Sequence, residues 1–210
     1  MRRTTTTTKT IRSTMARFLI VISSLAAAPV TVHAGPIPYP NPGVENPVLY
    51  SFTATATGPI TAYFMGTTAA YVNELTMLVN GVGTGIQGLN NHTSAIGEAL
   101  DLGSVNAGDS IVFEMINLSP GGVGPWYSVK SMNSDGVNHV YSTDFGGDLL
   151  VPAGIFVAFE DLQGGGDLNY NDENFVFTNV SSSNNVPEPG SLALLGAALA
   201  GLAAARRRTR

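Results

Sequence analysis

The sequence contains no cysteine, which excludes a disulfide framework, thiolate metal sites and cysteine nucleophiles. Tryptophan occurs once, and charged residues make up only 12% of the chain. Bases are scarce in the middle: from residue 35 to residue 180, fourteen acidic residues face Lys130 alone, a net charge of −13. So acidic a body repels nucleic-acid phosphates and anionic lipids, and we expect no nucleic-acid partner. Divalent cations and neutral polymers are better candidates.

The other basic residues lie at the two ends of the chain. At the N-terminus, five of them precede an apolar stretch at residues 18–28, and Val32-His33-Ala34 follows as a small-residue cleavage site. This order is typical of a secretory signal peptide, which we place at residues 1–34. The alternative, a membrane helix that stays attached, is less favoured because the apolar stretch is short.

The C-terminal segment, residues 186–210, has three parts. An apolar run at residues 192–205 is shorter than the roughly 20 residues that a permanent membrane helix needs, so we expect a short helix that inserts transiently into the inner membrane. By the positive-inside rule both ends stay in the cytoplasm and the body between them is exported. The other two parts are Val186, Pro187, Glu188 and Pro189 before the run and the basic residues Arg206, Arg207, Arg208 and Arg210 after it.

These three parts together resemble the PEP-CTERM sorting signal of Gram-negative bacteria. The resemblance implies export by the Sec machinery and recognition by a membrane exosortase. It also implies removal of the tail near Pro187-Glu188-Pro189 and delivery to the cell surface or to an extracellular polysaccharide matrix.

The body, residues 48–180, shows strand patterns and no sustained helical period. Tyr50, Phe52, Ala54 and Ala56 alternate with serine and threonine, which is the pattern of a half-buried strand. Further strands are predicted at residues 60–65, 71–79, 110–117, 126–132, 137–142, 155–161 and 174–180. We interpret the glycine-rich residues 81–88 as a loop and Asp135-Gly136 as a turn. Many short strands separated by turn residues predict an all-β fold with a single, jelly-roll-like β-sandwich domain.

Two segments frame this predicted domain. Five prolines in residues 35–47 predict an extended lead-in. Residues 181–185, which are all serine or asparagine, are typical of a flexible linker between the domain and the sorting segment.

Five carboxylates fall between residues 160 and 173 with no base among them, and glycines at positions 164–166 interrupt them. Their mutual repulsion is costly unless a cation relieves it. Calcium accepts roughly six to eight oxygens in irregular geometry, so it suits a flexible loop with Asp and Asn at alternate positions. We therefore predict a calcium site with the ligands Glu160, Asp161, Asp167, Asn169, Asn171 and Asp172, with Asp135 and His139 as further candidates. The loop is not an EF-hand, and a solvated acidic loop is the open alternative.

The sequence offers no convincing catalytic constellation, and we expect no enzyme. Glu160 and Asp161 are adjacent on a predicted strand, so their side chains face opposite sides. Two alternatives stay open. One is a carbohydrate-binding module that uses exposed Trp126, Tyr127 or Tyr170. The less favoured one is a carboxylate-dependent hydrolase.

From about residue 100 to residue 180 the body resembles the bacterial family called domain of unknown function 4114. Its hallmark reads roughly G-F-E-D-L-x-G-G-G-D-x-D-[FY]-N-D, and the matching stretches here are residues 158–162 and 164–172, with residues 133–139 matching an upstream N-P-D-G-x-x-H. Ala158, Ser134 and Asn169 depart from the pattern. Asn169 replaces an aspartate, so we expect weaker cation binding than in the family pattern. The resemblance establishes no activity but favours the calcium interpretation.

Overall fold

The computed structural model describes residues 37–185. The predicted signal peptide (1–34) and the sorting segment with its apolar helix (186–210) lie outside the described residues. Within residues 37–185, none of the helices has the length and apolar character needed to cross a membrane.

The described residues form eleven strands and two short 3-10 helices. The helices are Lys130–Met132 and Gln163–Gly165. The strands are β1 Leu49–Ala54, β2 Gly58–Gly66, β3 Asn73–Val79, β4 Val82–Gly88, β5 Ala99–Val105, β6 Ser110–Asn117, β7 Trp126–Tyr127, β8 Val140–Phe145, β9 Gly154–Phe159, β10 Glu173–Phe177 and β11 Val180–Asn185.

The strands form two antiparallel sheets. The first has the order β11-β1-β6-β3-β4, with β7 paired to β6, and the second has the order β5-β2-β10-β9-β8. Residues of both sheets pack into one hydrophobic core. Phe113 of β6 stacks on Phe177 of β10 with ring centroids 3.6 Å apart, which joins the two sheets directly. The predicted all-β class with two packed sheets is confirmed.

Strand β1 shows how the alternating pattern places side chains. Tyr50, Phe52 and Ala54 are buried in the core while Ser51 is exposed. The strand ends at Ala54, before the predicted alternation does, and a bend follows. The period-2 pattern therefore identified the buried face correctly and overestimated the strand's length.

The second sheet is covered on both faces. Alternate residues of β9 and β10 point into the main core, namely Val157, Phe159, Phe175 and Phe177. The residues between them, Phe156, Ala158 and Val176, join a smaller cluster on the other face with Tyr170. The proline-rich lead-in contributes to this second cluster through Ile37, and Tyr39 meets Phe156 edge-on. We call these two sides of the second sheet its inner and outer faces.

Two segments that we interpreted as loop or linker are strands. Residues 82–88 form β4, which pairs with β3 through a two-residue turn at Asn80 and Gly81. Both turn residues have positive φ, 50° and 82°, as a tight hairpin requires. Residues 180–185 form β11, paired with β1 along its whole length, in place of the predicted linker. β5 is a third strand that the pattern did not indicate.

The remaining predicted strands exist with shifted ends. Residues 126–132 divide into β7 and the 3-10 helix at Lys130–Met132. β8 begins at Val140, because Asn138 and His139 use their side chains and backbone in long-range hydrogen bonds before the strand starts. Asp135-Gly136 lies in a turn that the Gly136 N–H closes on the Asn133 carbonyl.

Candidate functional site

The acidic residues gather where β9 ends and β10 begins. Phe159 and Glu173 are register partners, and the loop of residues 160–172 connects their strands. Three consecutive glycines, 164–166, have φ of 76°, 78° and 55°, which lets the chain turn sharply. Leu168 and Tyr170 also have positive φ, 53° and 55°, an unusual backbone for side chains of this size. Surrounding contacts must hold such a loop in place.

Tyr170 is the main anchor of this loop. Its ring is fully buried, and its hydroxyl accepts the Asn46 N–H at 2.8 Å and donates to the Asn138 carbonyl at 3.0 Å. Burial is the main reason why the pKa of Tyr170 rises to about 12. The Tyr170 N–H in turn donates to a carboxylate oxygen of Glu160. The loop is thus tied at once to the lead-in, through Asn46, and to the segment just before β8, through Asn138.

The outer face of the second sheet carries Glu160, Asp172 and Asp167. Glu160 is fully buried, and burial raises its pKa to about 8, with the Tyr170 N–H opposing and the charges of Asp172 and Asp167 adding to the rise. Burial also raises the pKa of Asp172 to about 6, although the Asp161 N–H donates to its Oδ2 at 3.0 Å. These two carboxylates resist ionisation because they are buried and, to a smaller extent, because each stands near other acidic groups.

The loop residues of the predicted site lie at different depths. Asp167 is exposed, and its Oδ2 accepts the Asn169 Nδ2 at 2.7 Å. The Asn169 Oδ1 accepts the Asn171 N–H at 3.1 Å, and Thr68 donates to the Asn171 Oδ1. The two asparagines therefore shape the loop with hydrogen bonds, while the charge of Asp167 adds to the rise in the pKa of Glu160.

The inner face carries a second group, formed by Asp161, Glu173 and Asn73. The Asn73 Nδ2, at the start of β3 in the first sheet, donates to the Asp161 Oδ2 at 2.8 Å. Trp126 donates its indole N–H to the Asp161 carbonyl at 2.9 Å. Glu173 is fully buried, and burial followed by the charges of Asp161, Glu74 and Asp172 raises its pKa well above the ordinary value.

Four buried oxygens of these two groups receive no hydrogen bond from the described residues. They are Glu160 Oε2, both carboxylate oxygens of Glu173, and Asn73 Oδ1. Only three other buried side-chain atoms within residues 37–185 share this condition: Asn117 Nδ2, Ser142 Oγ and Ser182 Oγ. Since a buried polar group without a partner costs about 1–3 kcal/mol, this concentration of acceptors at one end of the sandwich calls for an explanation.

Asp135 and His139 form a closed arrangement beside the loop. His139 Nδ1 lies 2.9 Å from the Glu160 carbonyl and Nε2 lies 3.0 Å from Asp135 Oδ2. Its ring stacks on Trp126 at 3.9 Å. Burial acts to raise the pKa of Asp135, but hydrogen bonds from Val137, Gly164 and His139 outweigh it and lower that pKa. This geometry favours a structural role for the pair.

No three Asp, Glu, His or Cys side chains among residues 37–185 converge closely enough to complete a metal site by themselves. A cation there would need amide, backbone or water oxygens in addition to carboxylates, and calcium accepts all of these. The structure brings Glu160 and Asp172 together, and Asp161, which continues the inner face, still lies close enough to Asp172 for its charge to raise the pKa of Asp172. Glu173 and Asn73 were not among the predicted ligands, although Glu173 belonged to the same run of acidic residues.

The aromatic residues suggested for carbohydrate binding are differently placed. Trp126 and Tyr170 are buried, which corrects the expectation that they are exposed, and Tyr127 is half-buried. A groove of about 480 Å³ lies between the start of β1 and the 3-10 helix at Lys130–Met132. None of the described carboxylates lines it; its lining residues are Leu49, Tyr50, Ser51, Val129, Lys130, Ser131, Asn133 and Gly136.

Comparison with protein families matches one segment of the chain. Residues 185–208 match the PEP-CTERM protein-sorting motif. The motif implies export with exosortase-dependent sorting to the cell surface. No curated protein and no solved structure matches the chain. The match covers the sorting segment and not the sandwich, so the resemblance of the body to domain of unknown function 4114 stays a prediction.

Proposed function

We propose that the protein is a surface-sorted β-sandwich whose acidic loop holds a structural calcium ion, and that it acts in adhesion or in the association of cells with extracellular polysaccharide. The sorting motif supports the location. The net charge of −13 in residues 35–180 supports a cation over an anionic partner. The body's resemblance to domain of unknown function 4114 is part of this proposal. We propose no catalytic role.

The observation that carries the calcium proposal is the state of the outer group, which consists of Glu160, Asp172 and Asp167. Glu160 is fully buried, its Oε2 receives no hydrogen bond from the described residues, and Asp172 and Asp167 are its charged neighbours. A buried carboxylate is accommodated when it is protonated, paired with a cationic group or bound to a metal. A cation between Glu160, Asp172 and Asp167 supplies that pairing, with further oxygens from loop carbonyls, Asn169, Asn171 or water.

Calcium bound there would stabilise the loop that joins β9 to β10. Leu168 and Tyr170 hold an unusual backbone in this loop, and the ion adds a further constraint beside the Tyr170 anchor. Because the unfolded chain has no preformed site, binding energy adds to folding stability. The domain should therefore be more stable where calcium is plentiful, as it is outside the cell.

The test is the thermal unfolding of the exported protein in millimolar calcium and in chelator. We expect a higher midpoint in calcium, and we expect Asp167→Ala with Asp172→Ala to remove the difference. Asp144→Asn is a matched control, because Asp144 is an exposed carboxylate on β8 of the same sheet. Equal midpoints in chelator and calcium for the unaltered protein would remove the ion from the proposal.

The polysaccharide association has its own test. The exported protein should be retained on the polysaccharide of the producing cells without releasing soluble fragments. Fragment release that is lost in Glu160→Gln would instead support the hydrolase alternative. Absence of retention would leave a surface protein without this partner.

Sorting is tested by replacing Glu188 together with the terminal arginines. We expect uncleaved or mislocalised protein, detected by mass spectrometry of the chain recovered from cell fractions. Unaltered surface delivery would contradict the role of the motif.

A further inference from the structure

The inner group differs from the proposed loop site in position and in composition. Glu173 and Asp161 lie on the inner face of the second sheet, and Asn73 reaches Asp161 from β3 of the first sheet. Glu160 and Asp172 belong to the outer face with Tyr170. A ligand of the inner group would contact both sheets, whereas a ligand of the loop site would contact one.

Glu173 is the unusual member. It is fully buried, and neither of its carboxylate oxygens receives a hydrogen bond from residues 37–185. If the side chain is ionised, its charge is buried without a partner; if it is protonated, its hydroxyl is buried without an acceptor. Neither state is satisfied by the described residues alone.

The other two members of the inner group also carry oxygen acceptors. Asn73 is fully buried, and its Oδ1 lies beside the Nδ2 that is fixed on Asp161 and, like Glu173, has no donor among the described residues. Asp161 is itself buried and negatively charged when ionised. Hydrogen-bond donors would satisfy these oxygens as well, but the described residues supply none to Glu173 or to the Asn73 Oδ1. Such a set suits a cation that binds oxygen.

We propose that Asp161, Glu173 and Asn73 form a second cation site, between the two sheets, and that its ion is calcium. Two carboxylates and one amide oxygen are ligands that calcium prefers, and the ion's remaining positions can be filled by backbone or water oxygens. Magnesium is less suited because it demands a stricter octahedral geometry. The site joins β3 to β10 and therefore holds the two sheets together at this end.

Trp126 provides a probe of this position. It is the only tryptophan in the chain, and its indole nitrogen lies 2.9 Å from the Asp161 carbonyl. Terbium replaces calcium in oxygen sites and emits when a tryptophan within a few ångströms transfers energy to it. Terbium in the inner site should therefore emit strongly under tryptophan excitation, and added calcium should quench the emission by displacement.

The experiment combines this emission with the number of calcium ions bound per chain, measured by equilibrium dialysis on the exported protein. The unaltered protein should bind two ions. Glu173→Gln keeps the shape of the side chain but removes its charge and one acceptor. It should lose one ion and most of the emission, because even changes around a metal's ligands lower affinity about 10- to 100-fold. Asp167→Ala should lose the other ion and keep the emission, and Asp144→Asn should change neither.

Each outcome separates the two sites. One bound ion that Glu173→Gln removes and Asp167→Ala keeps would support the inner site and contradict the loop site. One ion that Asp167→Ala removes, with emission unchanged in Glu173→Gln, would overturn the inner site. If Glu173→Gln fails to fold, the unaltered protein still decides: absence of tryptophan-excited emission that calcium can displace would overturn the inner site.

Discussion

Two neighbouring regions of the sandwich differ in whether their buried polar atoms have hydrogen-bond partners. In the turn of residues 133–139, each buried side-chain donor and acceptor has a partner: Asn133 bonds Tyr127 and Val137, and His139 bonds Asp135 and Glu160. In the two neighbouring groups on the outer and inner faces, Glu160, Glu173 and Asn73 have buried oxygens that receive no hydrogen bond from the described residues. The turn satisfies its own buried polar atoms, whereas these acidic residues do not, and we propose that a cation completes them.

The same contrast distinguishes two kinds of acidic residue near the loop by the direction in which their pKa values shift. The Asp135 pKa is lowered by three donors, but burial and neighbouring charge raise the pKa values of Glu160 and Asp172. Asp135 therefore stabilises the fold as an anion, and the other two destabilise it when they ionise without a counter-charge. Sequence alone made all three candidate calcium ligands, Glu160 and Asp172 in the acidic loop and Asp135 as a further candidate upstream of it.

The largest expected effect is a pH dependence of the metal-free protein. The folded pKa values of Glu160, about 8, and Asp172, about 6, lie above the ordinary values of 4.5 and 3.8. The folded state therefore binds these protons more tightly than the unfolded state, so their contribution is full below about pH 4 and is lost as pH rises toward 8. At about 1.4 kcal/mol per pKa unit, reduced because the two groups share one charge balance and are partly screened by solvent, the loss should be on the order of a few kcal/mol.

Chemical denaturation in chelator, from about pH 5 to about pH 8, measures this dependence. Stability should fall as pH rises, and millimolar calcium should reduce the fall because the ion replaces the protons. A metal-free protein whose stability rises from about pH 5 to about pH 8 would contradict the predicted difference between the two regions.

A smaller effect is expected from Asp135→Asn in the satisfied turn. An amide in place of the carboxylate loses the acceptor that serves both His139, at 3.0 Å, and Gly164, at 2.7 Å. Leaving these donors poorly paired should lower the free energy of unfolding by about 1–3 kcal/mol. Denaturation should show the same loss in calcium and in chelator.

The same variant distinguishes a structural Asp135 from a ligand. Calcium affinity should match that of the unaltered protein, measured by titration calorimetry. A loss of calcium binding in Asp135→Asn would place Asp135 in the metal site, as one interpretation of the sequence suggested, and would remove the contrast between the two regions.

The fold class could be predicted because it depends on local patterns. The alternation through Tyr50, Phe52 and Ala54 records burial on one face, and that face is the core. β4 carried a signal too, since Asn80-Gly81 is a typical two-residue hairpin turn, but the many glycines of residues 81–88 favoured a loop. β11 carried none. Serine and asparagine are poor strand formers, and β11 is held by backbone pairing with β1, which side-chain composition does not record.

The candidate site could be predicted only in part, for the same reason. The run of acidic residues marked the loop, but the two faces of the second sheet divide its members. Asn73 meets Asp161 across 88 positions of sequence, so no local pattern could have joined them. Tyr170 likewise looked like a surface aromatic beside charged residues, and its hydroxyl is instead fixed by Asn46 and Asn138 in the interior.

The smallest expected effect concerns Lys130, the only lysine or arginine in residues 35–180. Its Nζ lies 2.6 Å from Glu45 Oε1, but more than a third of each side chain is exposed. Exposed ion pairs contribute about 0.2–1 kcal/mol, so Lys130→Met should lower the free energy of unfolding by no more than that, and less at high salt. Glu45 also accepts the Asn138 N–H at 2.7 Å, and that bond survives the change. Denaturation at low and high salt measures both quantities. A loss above about 2 kcal/mol would be larger than an exposed ion pair supplies. It would show that the turn of residues 133–139 depends on Lys130 as much as we expect the acidic residues to depend on calcium.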